Sequence, residues 1–82
     1  IQGNCCGIAA GPDYVRRARE LCTKHGVLMI MDEVKTGFRV ARGGVQSALG
    51  VTPDIATFAK AMANGYPIAA VAGRAEVMRS FR

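Results

Sequence analysis

The stretch VLMIMDEVKTGFR, residues 27–39, decides how this chain is read. Its apolar residues 27–31 run without interruption into two acids, Asp32 and Glu33, and a Thr36-Gly37 turn follows. A continuous apolar run bounded by turn residues fits a strand buried on both faces by flanking helices. A carboxylate at the end of such a strand either closes the strand or waits for a cationic partner.

On the N-terminal side, Gly11-Pro12-Asp13 opens a helix. Proline is tolerated at the first helical position, and an aspartate suits the positive end of the helix dipole. Tyr14, Ala18, Leu21, Cys22 and His25 then recur at helical spacing and are expected on one apolar face. Arg16 with Glu20 and Glu20 with Lys24 are i,i+4 pairs for the wet side. Gly26 ends the helix. On the other side, Gly37, Gly43 and Gly44 mark loop, and residues 45–49 form a short helix ending at Gly50. Thr52-Pro53-Asp54 is turn chemistry before a short strand, residues 55–59. Residues 61–64 read as a small-residue turn, 68–72 as another strand, and 74–81 as the start of a helix. This alternation predicts an α/β fold with a mostly parallel sheet flanked by helices. Ligands of such sheets bind outside the carboxyl ends of the strands. Asp32 and Lys60 both fall at such ends.

The chain has 82 residues, half of them hydrophobic, and a net charge of +5. That is short for a self-sufficient domain. It opens at Ile1 inside an apolar, glycine-containing segment and stops at Arg82 soon after a helix-like stretch begins. The expectation is an internal piece of a larger protein, with no complete domain. No run reaches the roughly 18 apolar residues of a membrane span, so no membrane partner is expected. The three cysteines, Cys5, Cys6 and Cys22, are odd in number and lack a CxxC spacing. That argues against a disulfide framework and against a zinc site. Free thiols in a reducing cytoplasm are the expectation, with no metal. The arginines and lysines are scattered, and those between Arg16 and Lys24 are mixed with Glu20 and lack interleaved aromatics. A solvated helix face accounts for them better than a groove for nucleic acid.

Taken singly, Asp32 and Lys60 have plain readings. Most such residues are solvated, and the two could form an ordinary ion pair. Together they also meet the demand of pyridoxal phosphate chemistry, in which one lysine holds the aldehyde as a Schiff base and one acid faces the pyridine nitrogen. That acid keeps the nitrogen protonated, and the lysine, once displaced, serves as a local base.

The segments DEVKTGFR (32–39) and FAKAMANGYPIAAVAGR (58–74) resemble the class III aminotransferases, which are fold type I pyridoxal-phosphate enzymes. Within that class the wording is most similar to the glutamate-1-semialdehyde 2,1-aminomutases and their aminotransferase relatives. GNCCGIAAGPDYVRRARELCTKHGVLMI and GVTPDIATFAK resemble the segments that lead to the aspartate strand and to the lysine. The resemblance therefore covers nearly the whole chain, as part of the large, cofactor-binding domain. It implies that Asp32 pairs with the pyridinium nitrogen, that Val34 packs on a face of the ring, and that Lys60 forms the Schiff base. It implies a structural role for Glu33, which would tie the loop down. The small residues Ala61, Ala63, Asn64 and Gly65 would let the backbone pass close to the cofactor, and Pro67 would fix the next turn. It further implies amino transfer between an amino acid or amine and a carbonyl compound, or, in the aminomutase variant, within one substrate. A homodimer with sites at the interface is implied as well. Two departures are visible. Lys35 stands where the aminomutases usually have Met, and Ala-Met-Ala-Asn-Gly follows Lys60 where the family has a glycine-rich run. The first puts an extra cation beside the site, which would alter which acid is held, and the second favours a transaminase over the aminomutase.

Other residues have weaker claims. His25 suits a helix C-terminus, where a protonated ring is favoured. Cys5 and Cys6 read as small hydrophobes. Arg39 or Arg42 could fork onto a substrate carboxylate, and Tyr66 could approach the lysine or simply pack. A nucleotide-binding module would need G-x-G-x-x-G or a Walker lysine, and residues 7–12 supply neither. A non-catalytic interaction module is the remaining alternative, and it would show no cofactor spectrum.

Overall fold

The computed structural model describes residues 7–81. Cys5 and Cys6 therefore lie outside the described residues. Helix α1 covers Tyr14–His25, strand β1 Ile30–Asp32, helix α2 Gly44–Leu49, strand β2 Ile55–Phe58, strand β3 Ala70–Gly73 and helix α3 Ala75–Met78, with a 3-10 turn at Lys60–Met62 between β2 and β3. The sheet order is β1-β2-β3.

β1 and β2 are parallel, with Ile30 opposite Ile55, Met31 opposite Ala56 and Asp32 opposite Thr57. Their connection, residues 33–54, contains α2, as a parallel crossover requires. β2 and β3 are antiparallel, with Thr57 opposite Val71. The expectation of a mostly parallel sheet is thus corrected to a mixed one among the described strands. The reason is the connection. Residues 59–69 hold only one 3-10 turn, too little for a crossover, so the chain doubles back. The return is tightened at Pro67, where the Ile68 amide donates to the Tyr66 carbonyl at 2.9 Å. Ile68 is held in that turn, so β3 begins at Ala70, not at residue 68.

The buried apolar residues are Val45, Val51, Ile55, Ala56 and Ala63, so the core gathers around the first half of β2 and the start of α2. Val27, Leu28 and Ile30 are at least half exposed. The anticipated doubly buried strand over residues 27–31 is therefore shorter and later, and only β2 flanks it among the described strands.

Helix α1 ends where the sequence puts it. Gly26 adopts the left-handed conformation, and the Val27 amide reaches back to the Cys22 carbonyl at 2.9 Å. Its inward face is rotated from the expected one. Val15, Ala18, Arg19 and Cys22 are half-buried, whereas Tyr14, Leu21 and His25 are exposed. Arg19 turns inward because its partner, Asp54, lies beneath the helix, with Nη1 2.7 Å from Oδ2. The anticipated pairs of Glu20 with Arg16 and Lys24 are absent from the described salt bridges. Arg16 pairs with Asp13 instead, at 3.2 Å.

Candidate functional site

Asp32 is the last residue of β1, and Lys60 opens the 3-10 turn that follows β2. The parallel register sets Thr57 beside Asp32, so the lysine stands three residues beyond the aspartate's partner. Both side chains emerge at the same end of the two parallel strands, and both residues are exposed. The Asp32 carboxylate takes two hydrogen bonds from the described residues, and both go to Oδ1. One comes from the Val34 amide at 3.0 Å and one from the Thr57 hydroxyl at 3.1 Å. The strand thus ends in a turn that the aspartate itself closes.

An ordinary Asp32–Lys60 ion pair does not form. The salt bridges among the described residues join Arg16 to Asp13, Arg19 and Arg74 to Asp54, and Arg74 to Glu76. Lys60 sits at φ 49°, a left-handed conformation that a side chain with a Cβ adopts at a cost of roughly 1–2 kcal/mol. Such strain at a lysine on a strand end marks a residue held by its surroundings. Asn64, in the turn beyond, has the same φ, a conformation that asparagine tolerates well. Val34 is half-buried in the turn after Asp32. Phe38 and Phe58 meet edge-on behind this turn, with ring centroids 5.9 Å apart and planes at 62°.

Beside Asp32, the side chain of Glu33 points the other way, into the protein. Its residue is 1% exposed, the most buried large side chain among those described. Its Oε1 accepts the Thr36 hydroxyl at 2.9 Å and the Val45 amide, and its Oε2 accepts the Gln46 side-chain amide at 2.8 Å. One carboxylate therefore fastens the turn of residues 33–36 to the first turn of α2. Gly44 must be glycine for this contact. Its φ is 77°, and a Cβ there would collide with the Glu33 carboxylate. The alternation of a strand explains the split between neighbours: Asp32 faces the strand end and Glu33 the core.

Asp54 is the residue that sequence reasoning undervalued. Its side chain is 4% exposed, and it collects Arg19 at 2.7 Å, the Met29 amide at 2.8 Å and Arg74 at 2.9 Å. Those bonds, led by the Met29 amide and followed by Arg74 and Arg19, hold its carboxyl well below the usual carboxylate range. The carboxylate ties α1, the entry to β1 and the entry to α3 to the start of β2. That brace sets the level of β1 against β2, and so the level of Asp32 against Thr57. The one sequence signal was a Thr-Pro-Asp turn directly before a strand; Arg19 carried none, because the apolar spacing of α1 faced other residues inward. The partners are 35 and 20 residues away, so no local pattern joins them.

The remaining candidates lie apart from this arrangement. Arg39 and Arg42 are exposed loop residues, Tyr66 is 75% exposed, and His25 is exposed at the end of α1. Cys22 is a free, half-buried thiol. Among the described residues, no helix is long and apolar enough to cross a membrane.

Comparison with known proteins places the chain in a family. Residues 1–82 match the family described as aminotransferase class-III. The chain is 51% identical over 78 residues to a glutamate-1-semialdehyde 2,1-aminomutase of Clostridium tetani, covering 95% of this chain and 18% of that protein. Among solved structures, an omega-transaminase from Sphaerobacter thermophilus is 44% identical with a TM-score of 0.79, over 87% of this chain and 16% of that one. An ornithine aminotransferase from Plasmodium yoelii superimposes over all of this chain and 22% of its own, with a TM-score of 0.94 and 32% identity. The chain thus spans about a fifth of the length of the proteins it matches. With a family match along its whole length and a fold shared with solved aminotransferases, this chain belongs to the class III aminotransferase family.

Proposed function

We propose that the protein carrying this chain transfers amino groups between an amino acid or amine and a carbonyl compound, with pyridoxal phosphate as cofactor. The observation that carries this reading is the register of β1 and β2. It brings an aspartate and a lysine to neighbouring parallel strand ends without pairing them to each other. The donor set suits the cofactor. Oδ1 of Asp32 is fixed by two donors, its second oxygen takes no hydrogen bond from a described residue, and Lys60 makes no described ion pair.

When bound, the cofactor supplies an electron sink for the bond broken at the substrate carbon. Asp32 holds the proton on the pyridine nitrogen. Lys60 Nζ would hold the cofactor's aldehyde carbon and, when freed by the substrate amine, would carry the proton taken from the substrate's α-carbon to that cofactor carbon. Val34, half-buried in the turn after Asp32, would bear on a face of the ring. Glu33 acts at one remove, by holding the turn that carries Val34. By family resemblance we also propose a cytoplasmic homodimer, with the chain forming part of its cofactor-binding domain.

A second reading is supported by the 51% identity to an aminomutase, in which the amino group moves within one substrate. The Ala-Met-Ala-Asn-Gly run after Lys60 speaks for the transaminase. The test uses the full-length protein with an amino donor carrying ¹⁵N and a separate carbonyl acceptor. Transfer of label to the acceptor, abolished in Lys60→Ala, supports the transaminase. Label that remains on one substrate while changing carbon supports the aminomutase. A folded, cofactor-saturated protein that moves no label with a broad range of donors and acceptors, glutamate-1-semialdehyde included, contradicts both.

A further inference from the structure

We infer that Thr57 is a positioning residue that fixes the orientation of the Asp32 carboxylate; this rests on the proposed role of Asp32 toward the cofactor's ring nitrogen. Thr57 is directly opposite Asp32 in the parallel register, and its Oγ1 is 3.1 Å from Asp32 Oδ1. An ionised carboxylate can only accept, so the hydroxyl donates. The Val34 amide reaches the same oxygen at 3.0 Å. One donor comes from the neighbouring strand and the other from the turn after β1. With both in place, rotation of the carboxylate breaks at least one bond. The second oxygen is then left in a set direction for a ring N–H.

The threonine is itself held. Its backbone carbonyl accepts the Glu33 amide at 2.9 Å, so the strand cannot slip without breaking that bond too. Its branched side chain restricts χ1, which keeps the hydroxyl aimed. The residue is half-buried, and a fully solvated hydroxyl would have water to choose instead. Without the hydroxyl, the Val34 amide is the one donor left to Asp32 among the described residues, and the carboxylate divides its time between orientations.

The test compares the full-length protein with Thr57→Val, which keeps the shape and removes the donor, and Thr57→Ser, which keeps the donor. Asp32→Asn marks the limit of losing the acid. The probe is pyridoxal phosphate labelled with ¹⁵N in the ring. The readouts are its dissociation constant and the chemical shift of the ring nitrogen. Thr57→Val is expected to weaken cofactor binding about tenfold, as loss of one charge-assisted hydrogen bond would. It should also move the ring-nitrogen resonance toward the Asp32→Asn value, and Thr57→Ser should restore both. If Thr57→Val does not fold, Thr57→Cys, similar in size but a weak donor, is read in the same way. A wild-type resonance in Thr57→Val, beside a shifted one in Asp32→Asn, overturns the inference and leaves the proposed function standing. Weaker binding with an unmoved resonance also overturns it, because that marks a structural role only. An unmoved resonance in Asp32→Asn removes Asp32 from the ring nitrogen, and the inference with it.

Discussion

Replacing Glu33 by alanine probes the joint between the strand end and α2. The wild-type carboxylate receives the Thr36 hydroxyl, the Val45 amide and the Gln46 side-chain amide. A fourth bond, from the Gln46 backbone amide at 3.4 Å, is long and adds little. Gln46 is half-exposed, so its side chain can turn to water when the carboxylate is removed. Thr36 and Val45 are both 8% exposed and cannot. Glu33→Ala therefore strands two buried donors. At about 1–3 kcal/mol for each buried group left unsatisfied, less some relief from no longer burying a charge, the loss is about 3 kcal/mol. The loss is local, and hydrogen exchange reads it locally. In the full-length protein, followed by mass spectrometry on a peptide spanning residues 40–50, the Val45 amide should exchange roughly 100-fold faster in the variant. Glu33→Gln keeps one acceptor oxygen but turns an amide NH₂ toward other donors, so it should fall between the two. Exchange in Glu33→Ala within threefold of wild type would refute the reasoning, because the carboxylate would then be holding nothing.

Asp54→Ala should destabilise the full-length protein by about 3 kcal/mol, because it strands the Met29 amide and removes the partner of Arg19. Arg74→Ala should cost less than about 1 kcal/mol, since Arg74 is 55% exposed; urea denaturation measures both. Acid should act through the same carboxylate. Its folded pKa is depressed, so the folded state binds the proton less readily than the unfolded one. The stability it adds is fully present above the unfolded carboxylate value of about 4 and falls away as the pH drops below that. Between pH 6 and pH 3 the wild type should therefore lose more stability than Asp54→Asn, and equal losses would contradict the assignment. Gly44→Ala, forced to a positive φ and against Glu33, should cost more than about 2 kcal/mol, read as a fall in melting temperature.

What could be read from the sequence was local in origin. The end of α1 at Gly26 and that of α2 at Gly50 were legible because a left-handed glycine cap is written in one residue. Asp32 and Lys60 could be singled out because strand ends and residue type coincide there, and because the surrounding words resemble a family. What could not be read depended on distant partners. The apolar spacing of α1 put Tyr14 and Leu21 inward, but Asp54 draws Arg19 under the helix and sets a different face. The direction of β3 depends on how the turn after Lys60 folds back, which apolar runs do not encode. The burial of Glu33 was legible only as a loop tie. Its grip on Val45 and Gln46, 12 and 13 residues on, appears only when α2 docks. Thr57 carried no signal at all, because its importance lies in a register between strands.

The central claim is that Lys60 is the residue to which the cofactor attaches. The direct measurement is on the full-length protein, incubated with pyridoxal phosphate, reduced with borohydride and digested for peptide mass spectrometry. The account predicts a pyridoxyl group on Lys60, and none on Lys24 or Lys35. A label on another lysine, or no label in a folded and cofactor-saturated protein, would contradict it.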